Sequence, residues 1–108
     1  MLKKLDQIGK KIEKVKEGLL QIGEMRPGSL TMQYQKPAEK QGGYYQISYT
    51  HKMRSRTEYV RPEFVEDLKM QVENFKRFKA LTQKWVDLAI EYSKLKMDIA
   101  KRSKDKVS

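Results

Sequence analysis

Leu30-Thr31-Met32-Gln33-Tyr34-Gln35 and Tyr45-Gln46-Ile47-Ser48-Tyr49-Thr50 are the two runs on which the fold turns. In each, apolar or aromatic residues alternate with Thr, Gln and Ser, and that period of two sets one face of a strand apart from the other. Pro37 to Gly43 connects the runs, with Gly42-Gly43 allowing the chain to reverse. Thr57 to Val60 makes a third strand, reached through the tip His51-Lys52-Met53-Arg54-Ser55-Arg56. The pattern predicts a three-stranded antiparallel meander over residues 30–60.

On both sides of this stretch the period becomes helical. Residues 1–24 form the first helical segment. Over 2–22, Leu5, Ile8, Ile12, Val15, Leu19 and Ile22 follow steps of three and four, a heptad seam of the coiled-coil kind. Gly9 and Gly18 each weaken such a helix by roughly 1 kcal/mol relative to alanine, so packing must supply the stability. Gly23 is a natural stop, and Pro27-Gly28 suits a type II turn that takes the chain out of the helix.

Pro62 opens a second, longer helix over 62–103, with Glu63, Glu66 and Asp67 at the dipole's positive end. Residues 104–108 are expected to fray. At about 1.5 Å per residue the second helix runs roughly 60 Å and the first roughly 30 Å, so an antiparallel pairing covers only part of the longer stripe. The remainder, Trp85, Leu88, Tyr92, Leu95 and Ile99, is expected to meet a second copy or a protein partner, unless the helix folds back near Thr82-Gln83. The predicted architecture is α+β in a single domain: helix, meander, and a long helix packed antiparallel on the first.

Composition narrows the function. The chain has 108 residues, no cysteine, and a net charge of +10 from 24 basic and 14 acidic side chains. Residues 1–29 hold 7 basic and 4 acidic groups, 30–61 hold 6 and 2, and 62–108 hold 11 and 8, so the middle segment has the fewest acids to offset its bases. Such a field attracts polyanions. The longest apolar run is Leu88-Ala89-Ile90, too short to span a bilayer, and no apolar leader stretch follows the first lysines. A soluble cytoplasmic protein with no membrane partner is expected.

Catalytic and metal chemistry find no foothold in this sequence. The lone histidine, His51, sits among basic residues in a connection and reads as a solvated side chain. Asp87 and Glu91 lie one helical turn apart, but Lys84 and Lys94 flank them at spacing three, an ordinary charged helix face. No nucleophile elbow or phosphate-cradling glycine loop is present. The chain is read as a non-enzyme without cofactor or metal.

Two features point to binding instead. Lys52, Arg54 and Arg56 crowd the hairpin tip, joined by Arg26 and, if the other connection lies on the same side, by Lys36 and Lys40. A two-stranded ribbon fits the major groove of duplex DNA, and basic side chains at its tip anchor phosphates. The tyrosines are the second feature. Tyr34, Tyr45, Tyr49 and Tyr59 are assigned to the core-facing side, where Leu30, Met32 and Ile47 share their parity. Tyr44 is assigned to the opposite face, as a ring free to stack on bases.

In order along the chain, Arg26-Pro27-Gly28-Ser29-Leu30, Tyr34, Gly43-Tyr44-Tyr45, Tyr59-Val60-Arg61-Pro62 and Val72-Glu73-Asn74-Phe75-Lys76-Arg77-Phe78 resemble a family of small uncharacterised prokaryotic proteins that accompany transposases on mobile elements. The resemblance covers residues 5 to 85. It implies the helix, meander, helix layout and a nucleic-acid context, but no activity. Members of that family carry a Cys/His cluster between the Gly-Ser-Leu turn and the Gly-Tyr strand. Here that interval reads Gln35-Lys36-Pro37-Ala38-Glu39-Lys40-Gln41, so a zinc site is not carried over. The expected function is nucleic-acid binding, DNA before RNA, by an accessory protein of a mobile element. The alternative is a helical assembly module that dimerises or holds an adaptor partner.

Overall fold

A computed structural model describes residues 1–107, with side chains described for 1–103. The elements are α1 (Leu2–Leu20), β1 (Ser29–Lys36), β2 (Gln41–His51), β3 (Arg54–Val60) and α2 (Val65–Val107), with 3-10 turns at Pro37–Glu39 and Pro62–Phe64. The sheet is three-stranded and antiparallel in the order β1-β2-β3. The α+β arrangement is the one the periodicity predicts. Helix α2 runs through Thr82-Gln83 and reaches into the 104–108 segment expected to fray; Ser108 lies outside the described residues.

The chain divides into two compact units, residues 23–77 and residues 1–22 with 78–108, where its length had suggested a single domain. The division follows from how α2 buries its long apolar stripe. In the sheet unit, Ile47 and Val60 pack with Val65, Leu68 and Val72, joined by half-buried Leu30 and Tyr45. In the helical unit, Ile8 and Val15 of α1 pack with Leu88, and Ile12, Leu19, Leu81, Trp85, Tyr92 and Leu95 close around them. The two clusters share no residue.

This partition covers Trp85, Leu88, Tyr92 and Leu95 at least in part within one chain, where a second molecule had been expected to meet them together with Ile99. The sheet takes the first turns of the α2 stripe, which leaves α1 free to cover the later ones. Leu88 is buried, and Trp85, Tyr92, Leu95 and Ile99 are half-buried. The pairing is antiparallel, since Gly9 faces Tyr92 and Gly18 faces Leu81. Gly18 has a packing role, because a Cβ there would stand 3.3 Å from Leu81 Cδ1.

Several connections differ from the sequence reading. Helix α1 ends at Leu20, tightened by i→i+3 bonds from Gln21 N–H to Gly18 O and Ile22 N–H to Leu19 O, so Gly23 is not its cap. The next segment is tied to α2: Asn74 Nδ2 donates to Glu24 O at 2.8 Å, and Arg26 N–H to Gln71 O at 3.1 Å. Pro27-Gly28 forms no turn. Gly28 takes φ +143° where the chain passes close over Ile47. Reversal between β1 and β2 falls to Pro37–Glu39 and the left-handed Lys40, and Gly42-Gly43 belongs to β2 itself. The second hairpin is tighter than expected. Only Lys52 and Met53 turn, at φ 51° and 65°, and β3 starts at Arg54. Two left-handed residues give the hairpin turn whose twist matches the flanking strands.

Candidate nucleic-acid interface

The tight tip fixes the β3 register and with it the faces of the basic side chains. His51 pairs with Arg54, Tyr49 with Arg56, Ile47 with Glu58 and Tyr45 with Val60. Arg54 and Arg56 therefore share the parity of buried Val60 and lie on the side of the sheet that carries the core. β1 begins opposite Ser48, so the ladder beyond that point is two-stranded. This projecting ribbon presents His51, Arg54 and Arg56 on one face and closes through Lys52. Its other face holds hydroxyls, with Ser48 and Thr57 at 3.1 Å and Thr50 and Ser55 at 3.0 Å.

A polar cluster organises the base of the ribbon. Arg26 Nη2 donates to Glu58 Oε2 at 2.7 Å, and Tyr49 OH donates to Glu58 Oε1 at 2.9 Å. The Arg26 guanidinium also sits 4.9 Å from the centroid of the Tyr49 ring. The hydrogen bonds from Arg26 and then Tyr49, with the charges of Arg26 and Arg56 added, hold the Glu58 carboxyl below its ordinary value of 4.5 against a smaller opposing effect of desolvation. Arg26 is thus already neutralised by an acid and serves to position Tyr49 and Glu58. Its guanidinium, expected to assist at phosphates, is engaged by that acid.

A depressed value makes the carboxylate's contribution to stability fully present above 4.5 and lost as pH falls through the folded value. Glu58→Gln is expected to lower the urea midpoint at neutral pH, and the gap to wild type is expected to close in acid. Urea titrations across that range check this; a gap of constant size would show that the charge plays no part.

Lys36 and Lys40 do not join the tip. Consecutive hairpins of a meander turn at opposite ends, and β2 (Gln41–His51) separates them by about 33 Å at 3.3 Å per residue. They lie at the end of the sheet that carries Tyr44. Of the expected set, Lys52, Arg54 and Arg56 come together, and none of the three has an ion-pair partner among the described residues. His51, read from sequence as a bystander, stands opposite Arg54 and belongs with them.

The tyrosine assignment also changes. Tyr59 pairs with Gln46, which turns it to the outer face, where it is 63% exposed and lies 6.2 Å from Tyr44, centroid to centroid. Tyr34, Tyr45 and Tyr49 stay on the inner side, and a Lys69 ammonium sits 5.6 Å over the Tyr45 ring.

The positive excess is not confined to the ribbon. The sheet unit holds 10 basic and 7 acidic residues, while the helical unit holds 14 and 7, so most of the net charge belongs to the helix pair. On α1, Lys10 pairs with Asp6 and Lys16 with Glu13, whereas Lys3, Lys4, Lys11 and Lys14 have no ion pair among the described residues.

Among the described residues no group of three His, Asp or Glu side chains gathers as a metal site would require, and Asp87 accepts a hydrogen bond from Gln83 Nε2 at 3.1 Å. No helix among them is long and apolar enough to cross a membrane. No protein-family model, curated protein or solved structure matches the chain.

Proposed function

We propose that this chain is a non-enzymatic nucleic-acid-binding protein that engages the phosphate backbone through the β2–β3 ribbon, in the mobile-element setting its motifs resemble. The observation that carries the reading is the gathering of His51, Lys52, Arg54 and Arg56 on a ribbon whose acidic neighbour, Glu58, is already occupied by Arg26 and Tyr49. A ribbon two strands wide can enter a groove, and its guanidinium groups match phosphate oxygens in pairs. Such binding is electrostatic and tolerant of sequence, which suits a chain of net charge +10.

Electrophoretic mobility shift across a salt series tests the reading. Affinity should fall steeply with salt. Replacing Lys52, Arg54 and Arg56 together by glutamine should weaken binding by about tenfold or more and flatten the logarithmic salt slope by about 0.9 for each phosphate no longer neutralised. Glutamine keeps these side chains polar and leaves the core untouched. Affinity that ignores ionic strength would remove the basis of the proposal.

A second location within the same function has support in the uncompensated Lys3, Lys4, Lys11 and Lys14 of α1. If Lys4, Lys11 and Lys14 changed to glutamine abolish binding while the ribbon variant does not, the polyanion site belongs to the helix pair. The assembly alternative draws on exposed Val86, Ile90 and Met97 of α2. Light scattering at high protein concentration separates it from a monomeric binder.

A further inference from the structure

The outer face of the sheet has an unusual composition for this chain. Charged residues make up 35% of the sequence, yet every outward residue of the paired strands is Ser, Thr, Gln or Tyr, apart from Gly42. A merely solvated face in so charged a chain would carry lysine and glutamate, which also discourage edge-to-edge association. Here the charge is withheld from the face: Lys36, Arg54 and Arg56 take the inner parity, and the turn residues Lys40 and Lys52 stand at its ends.

Two aromatic rings stand on this neutral ground. Tyr44 of the central strand and Tyr59 of the edge strand are diagonal neighbours, tilted 48° to one another. Gly42 and Gly43 beside them contribute no side chains, which leaves an open notch of about 480 Å3 lined by Gln35, Gly42, Gly43, Tyr44 and Tyr59. A flat ring can lie against a tyrosine there. The side-chain amides of Gln35, Gln33 and Gln46 each offer both a donor and an acceptor, so any base edge finds a partner.

We infer that this face binds the unpaired bases of a single-stranded nucleic acid, with Tyr44 and Tyr59 as the stacking platform. The inference rests on the nucleic-acid reading and names the kind of target. Stacking on an exposed aromatic ring is tolerant of sequence and worth roughly tenfold or more in affinity per base. A duplex hides its base faces within its own stack and cannot use the platform. Phosphates find no cation on the neutral middle of the face; Lys36, Arg54 and Arg56 have the inner parity, so the cations at its two ends are the turn residues Lys40, beside the notch, and Lys52, at the ribbon tip. This also gives Lys40 a role that its distance from the tip otherwise denies it.

The test measures anisotropy of a labelled oligothymidylate, an abasic strand of equal length and a duplex of equal charge against the full chain. The single strand should bind about tenfold tighter than the other two. Tyr44→Ser with Tyr59→Ser should erase that preference while duplex affinity stays put, and Tyr59→Phe should keep it, because the ring and not the hydroxyl stacks. Tyr59→Ser alone serves if the double variant fails to fold, since Tyr59 is already exposed. Equal affinity for all three probes with no effect of the serine variants overturns the platform and leaves the ribbon reading intact. Absence of salt-dependent binding to any probe overturns both.

Discussion

Gly28→Ala should destabilise the sheet unit by about 2–5 kcal/mol, the combined effect of left-handed backbone strain and overpacking. Gly28 adopts φ +143°, a conformation that side chains other than glycine's rarely accept. A Cβ at this position would lie 2.8 Å from Cγ1 and 3.0 Å from Cδ1 of Ile47, and 3.2 Å from the Ser48 carbonyl oxygen. Neither neighbour can yield. Ile47 is the fully buried side chain of the sheet core, and Ser48 is held in register opposite Ser29 and Thr57.

A double-mutant cycle separates the two causes. Ile47→Ala alone should cost about 2–5 kcal/mol through the cavity it leaves. Combined with Gly28→Ala it should cost clearly less than the sum, because the clashing Cγ1 and Cδ1 are gone, and the remainder measures the backbone. Urea unfolding followed by near-ultraviolet circular dichroism reports the sheet, which holds every tyrosine except Tyr92. A Gly28→Ala protein within about 0.5 kcal/mol of wild type would mean that the chain does not pass over Ile47 as described.

The residues around Gly28 also show how far local pattern carries. Both long alternating runs became strands because one face of each meets the core, and the heptad seam of α1 became a buried seam. The tip departs from the sequence reading because Lys52-Met53 lacks the Asn-Gly or Asp-Gly signal of a two-residue hairpin. A shift of one residue in register turns a strand over, and Tyr59 accordingly lies on the face opposite to the expected one. Inner-face alternation gave no warning, since the inner parity of β3 reads Arg54, Arg56, Glu58 and only then Val60. That inversion is physical: the ribbon extends beyond the core, and its inner face is wet there.

The pairing of Arg26 with Glu58 joins residues 32 apart and has no local signature. Nor does a helical stripe record which element will cover it. The α2 stripe has one period from end to end, but the sheet takes its first part and α1 the rest. Sequence could find the stripe and count its surplus; only the closed meander shows how much of the surplus the sheet removes.

Leu88→Ala tests that division. Leu88 lies at the centre of the helix-pair cluster with Ile8 and Val15, and its truncation should cost about 2–4 kcal/mol. Val86→Ala and Ile90→Ala, on the same helix at 52% and 50% exposure, should each stay within about 1 kcal/mol of wild type. Trp85 is the sole tryptophan and sits against the same cluster with a Lys16 ammonium 5.3 Å from its ring centroid, so its fluorescence reports this unit. The decisive measurement is the urea midpoint at low and high protein concentration. If α1 of the same chain covers Leu88, the midpoint does not move with concentration. If the seam were instead closed by a second copy, the midpoint would rise with concentration and the Leu88→Ala penalty would grow with it, because association would then contribute to apparent stability.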